Sequence, residues 1–376
     1  MTMPPSRFDR VRGLREVLTA TGAGIYLANH QAGPVPAETL AAVHESDDME
    51  LRVGRVGPDR ADDLDQRQRE AVAVVAAVLG ASPERIVLTH GAAEAARLVA
   101  IEVLESGSDQ RVILLPGVDR AVAGAVRDVA EVAGAEVDAL TEIPDVYDAA
   151  PALDVMTHVD ADGRLVDPAP VAAAVRGAGA RLLVDVSRSV GTMPLAVDAI
   201  GADFVMAESH RWLLGPDAVA SLWITPRLDR ELPEWLRQAS APFARGSLLA
   251  LARSVGWLLM YVELPWALAR TAALADQLYE GLGAIDDVEI MAEPQAHGAI
   301  VAFRIGEWTA EAAAEELGRS IFAIVEPDAE ANLIRASVGA WNRESELDRF
   351  VERVGELAAH TPETLPRRPS LTIISG

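Results

Sequence analysis

Cysteine and lysine are both absent from the 376-residue chain, so all 33 of its basic residues are arginine. Without cysteine the chain has no disulfide, no thiolate metal ligand and no thiol nucleophile. Without lysine no side-chain amine can form a Schiff base with an aldehyde. The paired absence fits the codon bias of a GC-rich genome. The alternative explanation is a reactive, electrophilic ligand that disfavours amines and thiols.

Basic charge and long apolar runs are also scarce. The 57 acidic residues outnumber the basic ones and give a net charge of -24, which repels phosphate backbones. No uncharged apolar run reaches the roughly 18 residues that a membrane span needs. The amino-terminal residues mix charges of both signs and lack the apolar region of a secretory signal. We therefore expect a cytoplasmic protein that binds neither nucleic acid nor membrane.

Short apolar, β-branched runs bounded by Gly, Pro or Asp alternate with alanine-rich helical stretches as far as about Pro226. The strands predicted in this part are 85–89, 111–115, 135–140, 155–159, 181–184, 204–206 and 219–224. Strands that alternate with helices form a mostly parallel sheet covered on both faces. The pattern predicts an α/β fold with a seven-stranded, mostly parallel sheet in its large domain.

The pattern changes after Pro226, where a long helical stretch over 248–282, interrupted near Pro265, precedes shorter strands and helices. These shorter elements predict a smaller α/β lobe at the carboxyl-terminal end. The predicted divisions are an N-terminal segment (1–30), a large domain (31–245), a long connecting helix (246–282), a small lobe (283–360) and a tail (361–376).

The block from Leu182 to Pro216 carries the most information about function. Its first strand ends in Asp185, which places a carboxylate at the carboxyl edge of a parallel sheet, where ligands bind. Its second strand leads into the turn Ser209-His210-Arg211. No glycine-rich dinucleotide or Walker-type phosphate loop is present, so neither kind of nucleotide site is predicted.

Together with the segments 25–34, 89–95, 157–163, 246–247 and 333–342, this block resembles the class V aminotransferase group of fold-type I pyridoxal-phosphate (PLP) enzymes. That group includes cysteine desulfurases, isopenicillin-N epimerase-like proteins and kynureninase. The resemblance covers nearly the whole chain and implies the PLP-transferase-like fold. It also implies that the N-terminal segment lies over the site, and that the protein is a homodimer with its cleft at the subunit boundary.

The resemblance further implies roles for individual residues. It assigns Asp185, Arg188 and Ser209 to the cofactor, Ala92 and Ala93 to a phosphate-holding turn at a helix start, and Ser247 to the phosphate site of the neighbouring subunit. It assigns Asn29, His30, His158 and Arg335 to the substrate, with Arg335 matching the family's carboxylate-binding arginine. His210, Arg211 and Asp185 fall at the catalytic positions. No metal site is expected.

The chain departs from the family at these same positions. Arg211 stands where the family's lysine forms the internal aldimine, and a guanidinium is a poor imine-forming nucleophile because it stays protonated. Arg188 replaces a glutamine, and the stretch 116–120 offers no ring to stack on a pyridine. The phosphate turn has alanines where the family has hydroxyl residues. We therefore expect no covalently bound PLP; pyridoxamine phosphate, non-covalent PLP or no cofactor are the alternatives.

Two interpretations of the added arginines stay open at this point. Arg188 and Arg211 either pair with nearby acids such as Asp185 or Glu208 in a collapsed cleft, or enrich the cleft in positive charge and bind an anion. His210 is either a packed or capping imidazole or a proton-transfer group.

Three functional hypotheses follow. The first, which we favour, is an enzyme of altered, lysine-independent chemistry acting on a small carboxylate- or amine-bearing metabolite. The second is a catalytically inactive homologue that binds a ligand or partners an intact paralogue. The third is an ordinary PLP enzyme whose lysine was replaced by Arg211, which does not explain the other departures.

Overall fold

A computed structural model describes residues 7–106, 111–144, 151–228 and 232–366. In these ranges the helices are, in chain order, α1 (Arg7–Val17), α2 (Ala37–Val53), α3 (Arg60–Leu79), α4 (Ala92–Ser106), α5 (Arg120–Ala133), α6 (Pro168–Gly177), α7 (Val197–Ile200), α8 (Leu232–Ala239), α9 (Arg245–Trp257), α10 (Leu264–Gly283), α11 (Ala310–Ile321) and α12 (Glu344–Ala358).

The strands of the same ranges are β1 (Ile25–Tyr26), β2 (Ile86–Thr89), β3 (Arg111–Leu114), β4 (Glu136–Ala139), β5 (Leu153–Thr157), β6 (Arg181–Asp185), β7 (Phe204–Glu208), β8 (Ala220–Ile224), β9 (Val288–Ile290), β10 (Ile300–Ile305), β11 (Ala323–Ile324), β12 (Glu326–Asp328) and β13 (Leu333–Ser337).

The central sheet has seven strands in the described residues, in the order β2-β8-β7-β6-β5-β3-β4. All pairs are parallel except those that β8 makes with β2 and β7. The predicted mostly parallel, seven-stranded sheet is therefore confirmed. Because β5, β6 and β7 run in parallel, the residues that follow their carboxyl ends meet at one edge of the sheet.

Alternating side chains of the central strands pack into two apolar clusters, one on each face. On β6, Leu183 belongs to the cluster formed with α4 and α5, whereas Leu182 and Val184 belong to the larger cluster formed with α3 and α6. This alternation is what a strand buried on both faces requires. The sheet, packed on both faces, thus supports the loops at its carboxyl edge.

The small lobe is an antiparallel sheet in the order β12-β13-β10-β9, with α11 and α12 packed against it. Strand β1 pairs in parallel with β11. The N-terminal segment is therefore tied to the small lobe before it reaches the sheet edge of the large domain.

The helical stretch predicted over 248–282, with an interruption near Pro265, is divided into two helices at that point. Helix α9 passes through a π turn (Leu258–Val262), and the direction changes by 86° at Glu263, which has a φ of 63°. Leu264 and Pro265 then begin α10, because proline fits the first turn of a helix but not its interior. Within the described ranges no single helix meets the length and apolarity of a membrane span; only this bent pair does so, when both halves are counted together.

Candidate functional site

Asp185 ends β6 at the carboxyl edge of the sheet and is 5% exposed. The backbone N–H of Ser187 donates to its Oδ1 at 2.8 Å, and burial raises the pKa of the carboxyl group. His158 follows β5, and its backbone N–H donates to the Asp185 carbonyl at 2.9 Å. The imidazole Nδ1 of His158 lies 2.8 Å from the Ser189 hydroxyl, and burial lowers its pKa. Two of the predicted site residues are therefore neighbours on adjacent strands.

Arg188 forms an ion pair with Asp119, the residue that caps α5. Its Nη2 lies 2.9 Å from Asp119 Oδ2, and its side chain is 10% exposed. The other oxygen of Asp119 accepts the Ala121 N–H at 2.9 Å. Burial acts to raise the pKa of Asp119, but the charge of Arg188 and the Ala121 N–H outweigh it and lower that pKa. Asp119 lies in the stretch 116–120, and this charged pair is therefore found where the resemblance implies a ring stacker.

Arg211 is held from two sides. Its Nη1 lies 2.8 Å from Glu208 Oε2, and its Nε donates to the His30 carbonyl at 2.7 Å. Burial lowers the pKa of the guanidinium, although Glu208 opposes that effect. The sequence left two interpretations of Arg211 open, pairing with a nearby acid or binding an anion. The contact with Glu208 corresponds to the first.

The His210 imidazole also lies near the Glu208 carboxylate, and its lowered pKa favours the neutral form. Its Nε2 is 3.9 Å from Glu208 Oε2, and burial lowers its pKa. Its Nδ1 is buried and has no hydrogen-bond partner among the described residues. Its carbonyl accepts the Gly33 N–H at 2.8 Å, which fixes the N-terminal turn over this residue.

Arg335 lies on β13 of the small lobe, between two carboxylates. Its Nη2 is 3.0 Å from Asp162 Oδ1 and 2.7 Å from Asp328 Oδ2. Burial would lower its pKa, but the hydrogen bonds to these carboxylates raise it. The arginine that the resemblance assigns to a substrate carboxylate is thus already paired inside the chain.

His30 lies between the charged residues around Arg211 and those around Arg335. It is buried, its Nδ1 lies 2.8 Å from the Ser337 hydroxyl, and its Nε2 lies 2.5 Å from Glu326 Oε2. Burial lowers the pKa of His30, so the neutral ring donates its Nε2–H to the carboxylate. That hydrogen bond lowers the pKa of Glu326 to about 2. Glu326 Oε2 is in turn 4.0 Å from Arg335 Nη1.

The phosphate turn predicted at Ala92 and Ala93 begins α4, as expected. A carboxylate of the chain itself lies at this turn: Glu94 Oε2 accepts the backbone N–H of His90, two residues before the helix, at 2.5 Å. The His90 ring stacks on Phe243 with centroids 4.1 Å apart. A free N–H at a helix start favours an anion, and Glu94 places its own negative charge beside this helix start.

Three further predicted residues have other partners. Ser209 donates its hydroxyl to the carbonyls of Pro216 and Val219, both at 2.8 Å. Asn29 donates to the Ser337 carbonyl at 2.7 Å and accepts from Trp341 Nε1 at 3.0 Å. Ser247 lies in the first turn of α9, a helix that packs on α2 and α3. The described residues contain no group of three or more His, Asp or Glu side chains placed to hold a metal ion.

The cleft is rich in charge of both signs. The carboxylates that lie against Arg188, Arg211 and Arg335 are Asp119, Asp162, Glu208, Glu326 and Asp328. These five carboxylates offset the three guanidiniums without counting Asp185. The excess of positive charge that the sequence suggested is therefore not what the geometry shows.

Sequence reasoning missed four of these carboxylates. Asp119 belonged, at the level of sequence, only to the stretch 116–120 that lacks an aromatic ring, and Asp162, Glu326 and Asp328 carry no motif. Their contacts with Arg188 and Arg335 depend on how the sheet edge meets the small lobe. The one available signal was the excess of acids over bases, which makes a carboxylate the expected neighbour of any buried arginine.

The chain is similar to a known family and to several known sequences. Residues 25–241 match the family model described as aminotransferase class-V. A probable cysteine desulfurase of Methanothermobacter thermautotrophicus is 23% identical over 93% of this chain and 99% of its own length. A cysteine desulfurase of Frankia sp. is 32% identical over 39% of this chain and 40% of its own length.

Solved structures show the same fold. The apo cysteine desulfurase of Thermococcus onnurineus NA1 aligns with a TM-score of 0.78 at 17% identity, covering 95% of this chain and 99% of the other. The cystine C–S lyase C-DES, solved with its product cysteine persulfide, aligns with a TM-score of 0.78 at 15% identity, covering 90% of this chain and 99% of the other. At these identities the similarity establishes the fold.

Proposed function

Because the chain belongs to the class-V aminotransferase family, we propose that it is a member that works without covalently bound PLP and whose cleft binds a small amine-bearing metabolite. The observation that carries this proposal is the set of internal ion pairs at the family's cofactor positions. Arg211 pairs with Glu208, and Arg188 pairs with Asp119. These contacts favour the second hypothesis from the sequence, a ligand-binding homologue without PLP catalysis.

PLP is the cofactor that the family implies, and the residues of this cleft do not fit it. No lysine exists to form an imine, and a partly buried ion pair stands where the resemblance implies the ring stacker and the glutamine. The Glu94 carboxylate, which accepts the His90 N–H just before α4, places negative charge beside the helix start where a phosphate would bind. Pyridoxamine phosphate carries the same phosphate and meets the same obstacle.

The charge of the cleft argues for an amine. Five carboxylates face three guanidiniums, and the whole chain carries a net charge of -24. Such a field repels a phosphate dianion and attracts a cation or the ammonium group of a zwitterion. A zwitterion can also exchange partners with an existing ion pair, since its carboxylate replaces Glu208 or Asp119 on the guanidinium while its ammonium meets the displaced acid.

Titration calorimetry with PLP, pyridoxamine phosphate, amino acids, simple amines and dicarboxylates tests this proposal. We expect saturable binding from an amine-bearing compound and none from the two phosphates. The matched variants Glu208→Gln and Asp119→Asn should weaken that binding, whereas Asp128→Asn, at an exposed pair on α5, should not. Tight binding of PLP, or of a dicarboxylate in place of amines, would contradict the proposal.

One observation favours a second candidate, the lysine-independent enzyme. His210 is a neutral imidazole 3.9 Å from a carboxylate, with a buried Nδ1 that has no partner in the described residues. A neutral histidine beside a carboxylate has the protonation state of a general base. Once an amine-bearing ligand is known, its chemical turnover by the native protein, abolished in His210→Gln with binding retained, would support this candidate.

A further inference from the structure

Asp185 differs from the other carboxylates of the cleft because it has no cationic partner. Five of those carboxylates lie against an arginine, whereas Asp185 forms no ion pair within the described ranges. Its hydrogen bonds come from neutral groups of Ser187, whose backbone N–H donates to Oδ1 at 2.8 Å and whose hydroxyl also acts on the carboxyl. At 5% exposure an ionised carboxyl without a bound cation is costly, so burial favours the protonated acid.

Two guanidiniums lie near Asp185, but each already has a carboxylate of its own. Arg188 pairs with Asp119 at 2.9 Å, and Arg211 pairs with Glu208 at 2.8 Å. Burial raises the pKa of Asp185, although the charges of Arg188 and Arg211 oppose that effect. The two positive and two negative charges of the ion pairs cancel, so ionisation of Asp185 leaves these five side chains with one negative charge in excess. A monovalent cation would balance it.

The other groups around Asp185 supply no such cation. In the sheet its neighbours are Thr157 of β5 and Met206 of β7, which are both uncharged. The titratable side chains at the ends of the surrounding elements are His90, Glu94, Asp119, Arg120 and His158. Of these, Arg120 is exposed and the others bond to partners other than Asp185. The counter-charge of an ionised Asp185 therefore has to come from a ligand.

On the basis of the proposed function, we propose that Asp185 binds the ammonium group of an amine ligand and releases its proton as the ammonium arrives. The exchange is balanced, because the neutral acid and the cation become an ion pair and one proton passes to the solvent. A zwitterion can displace an acid from an arginine, but a simple amine has no carboxylate with which to do so. Its ammonium needs a carboxylate that no arginine holds, and Asp185 provides it.

This exchange makes the affinity for amines depend on pH. Below the raised pKa of Asp185 the ammonium has to displace a proton, so the affinity should rise about tenfold per pH unit and level off above that pKa. Binding to a carboxylate that is already ionised would show no such rise. The pH profile therefore distinguishes Asp185 from the paired carboxylates of the cleft.

Isothermal titration with n-propylamine, from about pH 4 to about pH 8 and in buffers of different ionisation enthalpy, measures both affinity and proton release. We expect the affinity to rise with pH and the release to approach one proton at the acidic end. Asp185→Asn should bind about tenfold or more weakly at neutral pH and lose both the pH dependence and the proton release. Asp138→Asn, at a surface ion pair with Arg111 on the edge strand β4, is the matched control and should behave as the native chain does.

The outcomes separate the role of Asp185 from amine binding itself. Amino acids that bind where n-propylamine does not, n-propylamine that binds without releasing a proton, or a pH dependence that persists in Asp185→Asn would each overturn the role of Asp185 and leave amine binding standing. Failure of every amine-bearing compound to bind would overturn both. Circular dichroism checks the fold of each variant, and the proton count on the native chain stays decisive if Asp185→Asn does not fold.

Discussion

At the scale of single residues, the cleft is defined by arginines that meet acids. Arg211, which the resemblance places at the position of the family's lysine, binds the His30 carbonyl through its Nε and Glu208 through its Nη1. Arg335 has the same arrangement with Asp162 and Asp328. Each of these guanidiniums acts as a tether between segments that are far apart in the chain, which gives it a structural role independent of any ligand.

Arg335→Ala should destabilise the fold by about 2–4 kcal/mol, because it leaves two partly buried carboxylates facing each other without a counter-charge. Chemical denaturation of the native chain and the variant measures the loss. Adding Asp328→Asn to Arg335→Ala should recover part of it, since one of the unpaired charges is then removed. A double variant no more stable than the single one would show that the loss has another cause.

Glu326→Gln should lower stability in a pH-dependent manner. The pKa of Glu326 is lowered from 4.5 to about 2 in the folded chain, so its carboxylate stabilises the fold above about pH 4.5 and loses this effect as the pH falls toward 2. The side chain is 27% exposed, which reduces the effect to about 1–3 kcal/mol at neutral pH. Denaturation curves from neutral to acidic pH should show the native chain and the variant converging. A difference that stays constant with pH would exclude the His30–Glu326 contact as its source.

At the scale of elements, the turn between β1 and α2 holds the N-terminal segment over the site. The Gly33 N–H donates to the His210 carbonyl at 2.8 Å, and a Cβ at position 33 would lie 2.1 Å from the Arg211 carbonyl oxygen. No side chain larger than hydrogen fits there without moving the turn or the strand end. Gly33 therefore allows its own backbone to approach the backbone of Arg211, the residue that the resemblance places at the family's catalytic position.

Gly33→Ala should cost about 1–3 kcal/mol or more of stability through this overpacking. Gly22→Ala is the matched control, because a Cβ at Gly22 meets nothing within 4 Å. Thermal unfolding of both variants measures the difference. Equal melting temperatures for the two would contradict the close packing of the turn against Arg211.

The central elements were predictable from sequence because their local signals agree. Helix α6, for example, begins after Asp167, whose side chain accepts the Ala169 N–H at 3.0 Å, and has Pro168 in its first turn. The sequence prediction missed α2, since exposed apolar residues such as Leu51 and Val53 blur its pattern. The sequence did indicate the interruption near Pro265, but not the positive φ of Glu263, because no sequence rule assigns that conformation to glutamate. The sequence predicted which residues lie in the site but not the contacts they make. Most of the carboxylates that neutralise its arginines lie on segments distant in the chain.

At the scale of the whole molecule, the resemblance to the family predicts a homodimer, a state that the single chain leaves open. Helix α2 and the loop after it carry exposed apolar side chains at Met49, Leu51, Val53 and Val56, and such groups are commonly covered in oligomers. Sedimentation equilibrium should give twice the chain mass of 39.9 kDa. Leu51→Asp and Val53→Asp should then shift the protein toward monomer. A native chain that sediments at its own mass would contradict this prediction.

We infer that the internal ion pairs of the cleft, and not only the absence of a lysine, prevent PLP from binding there. Arg211→Lys tests this claim most directly, because it restores an amine at the family's aldimine position while leaving Arg188–Asp119 and Glu94–His90 intact. The variant is incubated with PLP, reduced with borohydride and analysed by absorption and by peptide mass. We expect no yellow complex and no pyridoxyl adduct at position 211. A yellow protein that borohydride fixes at that position would contradict the account and identify a PLP site complete except for its lysine.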